Sequence, residues 1–143
     1  MLDIKFREIK KKDIPAVWKL LEQLKPLSEI KSEEFTPNID DAWTEFNSIG
    51  IVGLDGDKII AYGSLVVEHK IRGYQSCQIE DVVVDDDYRG KGVGEKLIEE
   101  MSKKAEKNGC YRVTLFCREE LIPFYEKNDY KVNNVVMKRW FKI

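Results

Sequence analysis

One stretch, residues 77–107, limits the possible folds more than any other. Residues 77–84, CQIEDVVV, read as a long strand, and 85–91, DDDYRGK, as a polar loop. From Gly92 onward Val93, Leu97, Ile98, Met101 and Ala105 share one helical face, and Asn108-Gly109 closes that helix. A strand, a glycine-rich loop and a helix in direct succession belong to a sheet with helices packed on its faces. Gly90, Gly92 and Gly94 let the backbone approach a ligand and aim several N–H groups at one point. The helix N-terminus adds about half a positive charge, so the turn suits a pyrophosphate. The same glycines also serve a plain flexible turn that starts a helix. The first βα turn of a dinucleotide-binding fold is excluded, because that turn stands near the start of a parallel βαβ unit. A Walker loop is excluded too, since no Gly-Lys-Ser/Thr follows.

The flanking chain supplies the rest of the sheet. Residues 3–9 alternate like a strand. Asp13 is placed to cap a helix with Pro15 in its first turn and Ile14, Val17, Trp18, Leu21 and Leu24 along one stripe. Short helical segments are expected near 32–35 and 40–47. The period then changes to two: strands at 49–54 and 58–68 flank the turn Asp55-Gly56-Asp57, a strong hairpin signal. After the central unit come a strand at 111–117, a short helix at 119–127 and a last strand at 135–142. The expected fold is α/β (α+β), a single domain over 1–143 with a central mixed sheet, in the order β-α-α-β-β-β-α-β-α-β.

Composition removes several function classes. Lys plus Arg number 24 and Asp plus Glu 26, so general basicity does not draw this chain to nucleic acid. No apolar run approaches the ~20 residues of a membrane span, and the N-terminus has no apolar signal core. A soluble, cytoplasmic protein is expected. Cys77, Cys110 and Cys117 cannot all pair, none lies in a CxxC, and His69 is the only histidine. Reduced thiols are expected, with neither a disulfide scaffold nor a metal site.

Arg89-Gly90-Lys91-Gly92-Val93-Gly94 fits an R/Q-x-x-G-x-G/A signature, and the flanking strands, the helix and Pro123-Phe124-Tyr125 fall at matching spacing. In these features the chain resembles the GNAT family of N-acetyltransferases over nearly its whole length. Val67-Glu68-His69-Lys70, Ile79 through Val84, Gly109-Cys110-Tyr111, Cys117 and Phe124-Tyr125-Glu126-Lys127 look like that family's glucosamine-6-phosphate N-acetyltransferases.

The resemblance implies acetyl-CoA as co-substrate. Arg89, Gly90, Lys91, Gly92, Val93, Gly94 and Glu95 match the pyrophosphate loop, and Lys127 belongs to the same binding set. Val82, Val83 and Val84 match the strand whose backbone pairs with the pantetheine, with a backbone N–H, that of Val82, at the oxyanion. Tyr125 matches the tyrosine that hydrogen-bonds or protonates the departing thiolate. Glu80 and Asp81 match the acidic pair at the amine. Lys70, Tyr111, Arg112 and Arg139 match positions around the sugar phosphate. The partner implied is a small-molecule amine, an amino-sugar phosphate, attacking the thioester directly in a ternary complex.

Three positions depart from that subfamily. Phe116 stands where an acid usually binds the sugar, Leu121 where Asn is frequent, and Trp140 where an Arg reaches the neighbouring subunit's substrate. They leave open another small amine or a peptide N-terminus as acceptor, and a non-catalytic acyl-CoA-binding sensor. Intact Tyr125 and Glu80 point to an enzyme. The aromatic terminal strand, which would leave an apolar edge on a monomer, implies a homodimer.

Overall fold

A computed structural model describes residues 2–24 and 48–141. The segments expected near 32–35 and 40–47 lie outside the described residues. Five strands form one sheet in the order β1-β2-β3-β4-β5: β1 Ile4–Glu8, β2 Ser48–Asp55, β3 Lys58–His69, β4 Gln75–Val84 and β5 Cys110–Leu115. The first three junctions are antiparallel and the last, β4 with β5, is parallel. The β2–β3 hairpin turns at Gly56, whose φ of 61° is the left-handed conformation a tight turn demands. The parallel junction needs a crossover, which α2, Val93–Lys107, provides.

The sheet separates two apolar layers. On one face Val93, Leu97, Ile98, Met101 and Ala105 of α2 pack against Ile4, Ile51, Ile60, Leu65 and Ile79. Each such side chain contributes roughly 1.5–3 kcal/mol by leaving water. At the centre of this face Met101 lies directly over Gly63 of β3. A Cβ there would stand 2.5 Å from the thioether sulfur, so glycine leaves the room that Met101 fills. On the other face α1, Ile14–Leu21, buries Val17 and Leu20 against Val52, Tyr62 and Val83. Leu20, outside the expected stripe, is the more inward residue.

Four expectations change. Asp13 makes no side-chain cap. A 3-10 turn over Lys11–Asp13 precedes α1, so the carboxylate reaches back instead. It accepts from both Arg7 guanidinium nitrogens, at 2.6 and 3.1 Å, and from the Lys10 N–H at 2.7 Å. The three thiols are not all free: Cys77 and Cys110, on adjacent parallel strands with Cα atoms 6.0 Å apart, form a disulfide, and Cys117 stays reduced. β5 ends at Leu115, because β4 no longer pairs with it beyond that point. Residues 131–141 form no strand of this sheet; they leave Val135, Met137, Trp140 and Phe141 exposed. A strand exists only where an edge pairs with it, and among the described residues this segment pairs with none.

Among the described residues no helix is long and apolar enough to cross a membrane. No group of three or more His, Cys, Asp or Glu among them is placed to hold a metal ion.

Candidate active site

The parallel pair β4–β5 opens part-way along its length. Its last partners are Ile79 and Leu115, yet β4 runs on to Val84. From Glu80 to Val84 the edge of β4 that faces β5 therefore keeps its backbone groups for something else. The valine side chains along this stretch are structural. Val83 is buried in the α1 layer, while Val82 and Val84 pack against the α2 layer.

Directly beyond the open edge, the loop turns through Gly90 and Gly92, with φ of 73° and 79°. No atom lies within 4 Å of where a Cβ would stand on either glycine, so the backbone lies bare. Gly92 is the N-cap of α2, and the first N–H of the helix to find an acceptor is that of Lys96, on the Gly92 carbonyl. Helix geometry leaves the preceding N–H groups, those of Val93, Gly94 and Glu95, pointing out of the helix end. This cradle fits an anionic pyrophosphate. Arg89 pairs with Asp86 at 2.9 Å, and Lys91 lies over the Tyr88 ring. Tyr88 in turn donates to Asp55, which ties the base of the loop to the β2–β3 turn.

Tyr125 lies on α3, Ile122–Glu126, behind the same opening. The position of a Gly94 Cβ is 3.4 Å from the Phe124 ring and 3.9 Å from Val84, so the glycine loop, the end of β4 and α3 converge. Tyr125 stacks edge-to-face on Phe124 and Tyr130, and the Tyr130 hydroxyl meets Ser102 of α2 at 2.9 Å. Burial pushes the Tyr125 phenol up to about 12, with the Cys117 and Tyr130 charges adding to the rise. It stays protonated through the physiological range and is available as a donor. The Cys117 thiol is itself raised, by desolvation and by Glu120, which makes it a poor nucleophile.

The acidic pair sits on a bulge. Tyr62 pairs with Val83 and Ser64 with Glu80, two steps on β3 against three on β4. The extra residue is accommodated at Asp81, whose φ of 54° is left-handed, a conformation that costs a non-glycine residue about 1–2 kcal/mol. The bulge separates the roles of the two neighbours. Glu80 is half-buried, with its carboxylate accepting from Gln78 at 2.6 Å and its carbonyl from the Ser64 hydroxyl at 3.1 Å. Asp81 reaches solvent, and the protein crowded about it raises its carboxyl through desolvation. Tyr62 and Ser64 were missed in the sequence; a serine inside the run AYGSLVV was the available signal.

The remaining candidates lie elsewhere. Arg112 donates to Ser76 at 3.0 Å and covers the Tyr111 ring, which stacks edge-to-face on Tyr74. Lys70 is paired with Glu68 at 2.9 Å. This group stands at the start of β4, four strand residues or roughly 13 Å from Glu80. Lys127 is exposed at the end of α3. Arg139 lies over the Phe141 ring in the terminal segment.

An open parallel edge, an uncovered glycine loop and a buried phenol thus meet at one place. The profile of the acetyltransferase (GNAT) family matches residues 14–130. The chain belongs to the GNAT acetyltransferase family. The co-substrate of that family is acetyl-CoA, and the loop at Gly90–Gly94 has the open backbone such a ligand requires. A glucosamine 6-phosphate N-acetyltransferase from Candida albicans is 35% identical over 148 residues, covering 92% of each chain. Glucosamine 6-phosphate N-acetyltransferase 1 of Dictyostelium discoideum is 45% identical over 83 residues, 57% of this chain; the match spans 53% of that protein's length. The crystal structure of the Arabidopsis thaliana glucosamine-6-phosphate N-acetyltransferase superposes with a TM-score of 0.81 at 30% identity, covering 98% of this chain and 99% of the other. In this GNAT chain the end of β4, the glycine loop and the helix bearing Tyr125 converge at one place.

Proposed function

We propose that this protein transfers the acetyl group of acetyl-CoA to the amine of glucosamine 6-phosphate. The observation that carries the reading is the opening of β4 from β5 after Ile79, with the glycine loop at one end and Tyr125 behind it. The free β4 edge holds the pantetheine by backbone pairing, and the amides at Val93–Glu95 hold the pyrophosphate. The neutral amine attacks the thioester carbonyl; the new C–N bond forms and the C–S bond breaks. The Val82 N–H steadies the oxyanion. Tyr125 donates a proton to the leaving sulfur, and Asp81, with Glu80 beside it, takes the proton the amine loses. The acceptor follows from the Candida and Arabidopsis relatives, which carry that substrate in their names.

A second reading rests on Phe116 and Leu121, which are 54% and 43% exposed where a sugar would favour polar groups. It makes the acceptor a less polar amine. Release of CoA thiol measured side by side with glucosamine 6-phosphate, glucosamine and spermidine decides between them. The expected outcome is a clear preference for the sugar phosphate; a preference for spermidine overturns it.

The proposal includes a homodimer. Residues 131–141 leave several large apolar side chains exposed, and a second copy is the partner that covers them. Arg139 or Trp140 would then reach the partner's substrate. Light scattering at micromolar concentration is expected to give about twice 16.7 kDa; a monodisperse, fully active monomer overturns this part.

A further inference from the structure

Three polar residues are buried among those described. Asp13 is held by Arg7, and Ser76 accepts from Arg112. Ser64, 5% exposed between Gly63 and Leu65, is the third. A strand interior of this kind favours a β-branched apolar residue, so a hydroxyl there calls for a reason. Its position supplies one. Ser64 is paired in register with Glu80, at the point where the β3–β4 ladder falls out of step. A bulge disrupts the ladder locally, so a side-chain donor at that point helps to fix the backbone. The Ser64 hydroxyl donates to that carbonyl, Glu80 O, at 3.1 Å. Tyr62 lies on the same face of β3, and its phenol is close enough to feel both the Ser64 hydroxyl and the Asp81 charge.

We infer that Ser64, backed by Tyr62, is a positioning residue for acetyl transfer: its hydroxyl, bonded to the Glu80 carbonyl beside the bulge, holds Asp81 in the left-handed turn that presents it to the amine. This rests on the reading of Asp81 as the amine-facing acid. Ser64 touches no substrate itself. Its effect passes through the Glu80 carbonyl to the next residue, at the acceptor end of the cleft, and the glycine loop is not involved.

The test is a steady-state comparison with acetyl-CoA and glucosamine 6-phosphate, together with acetyl-CoA affinity by calorimetry. Ser64→Ala is expected to keep acetyl-CoA affinity within twofold and to lower kcat about tenfold. Ser64→Thr, which keeps the hydroxyl, is expected to recover at least half of kcat. Ser64→Cys keeps the size but weakens the donor, and it is expected to fall between alanine and wild type; should Ser64→Ala not fold, this variant decides. Wild-type kcat in the alanine or cysteine variant overturns the inference. So does a loss of acetyl-CoA affinity in step with turnover, or failure of threonine to rescue. Asp81→Asn separates the two levels. If it retains full turnover, the underlying assignment of Asp81 has failed; if it loses turnover while Ser64→Ala does not, only the inference about Ser64 has.

Discussion

At the glycine-loop end of the cleft, every element that shapes the backbone is anchored: Val93 and Leu97 are buried under the loop, Phe124 packs on Gly94, and Tyr88 binds Asp55. Phe116 and Leu121, which the proposed reading sets at the acceptor end, stand exposed. The first region presents backbone atoms, and a backbone can be aimed only by fixing everything behind it. The second would read its ligand through side chains, which can be exchanged one at a time at little structural cost. On the proposed reading, the difference teaches where identity would reside in this chain: the acetyl donor would be read by the packing, and the acceptor by the surface.

The largest break in that contrast is expected from Tyr125→Phe, which keeps the ring stacked on Phe124 and Tyr130 and removes only the hydroxyl. Turnover should fall by ~10²–10⁴, the range for a lost general acid, with acetyl-CoA affinity unchanged by calorimetry. Full activity would make Tyr125 a packing residue. Gly92→Asp should act on binding instead. It forces a side chain into a left-handed position and sets a negative charge beside the pyrophosphate, so affinity should drop about 100-fold, or about 2.7 kcal/mol. Undiminished affinity would dissolve the loop assignment.

The acceptor end should yield differently. Phe116→Asp is expected to leave the thermal midpoint almost unmoved, since an exposed substitution usually stays within about 0.5 kcal/mol. The same change should raise the preference for sugar phosphate over spermidine several-fold in the thiol-release assay. A large loss of stability would show that the acceptor end is as anchored as the donor end.

The smallest effect is a control outside both regions. Hydrogen bonding from Arg7 holds the Asp13 carboxyl below the usual carboxylate value, against the opposing effect of burial. A depressed folded-state pKa contributes stability that is present above the unfolded value, near ~3.9, and lost as pH falls through the lower folded one. Denaturant midpoints measured from pH 6 down to pH 2 should therefore fall through that window. In Arg7→Met the fall should be shallower, and neither kcat nor acceptor preference should change at pH 7.

Much of this was legible in the residues. The hairpin signal Asp55-Gly56-Asp57 placed its turn correctly because left-handed backbone has few chemical solutions. The helix from Gly92 was bounded within a residue, because Val93 through Ala105 repeat at helical spacing and Asn108-Gly109 ends them. The bulge at Asp81 was hidden: alternation in IEDVVV reads the same with or without an extra residue, since its effect lies in pairing with another strand. The Cys77–Cys110 bond was invisible for a related reason. Separated by 33 in sequence, the two residues meet only once α2 has carried β5 back alongside β4. Thiol titration of the unreduced, denatured protein should find one free thiol per chain, and three would return the sequence-based expectation. The terminal segment misled in the opposite sense. Its composition is that of a strand, but strand formation depends on an available edge.

Met101 resting on Gly63 has a practical consequence for redesign. Residues 62, 63 and 64 face alternate layers, so the helix that follows the glycine loop and the bulge at Asp81 are gauged from opposite sides of the same three residues. A methyl group at 63 would force the buried Met101 side chain to repack, on the helix whose first turn carries the open amides. On the proposed reading, a library aimed at new amine acceptors should therefore leave Tyr62-Gly63-Ser64 untouched and diversify the exposed Phe116 and Leu121.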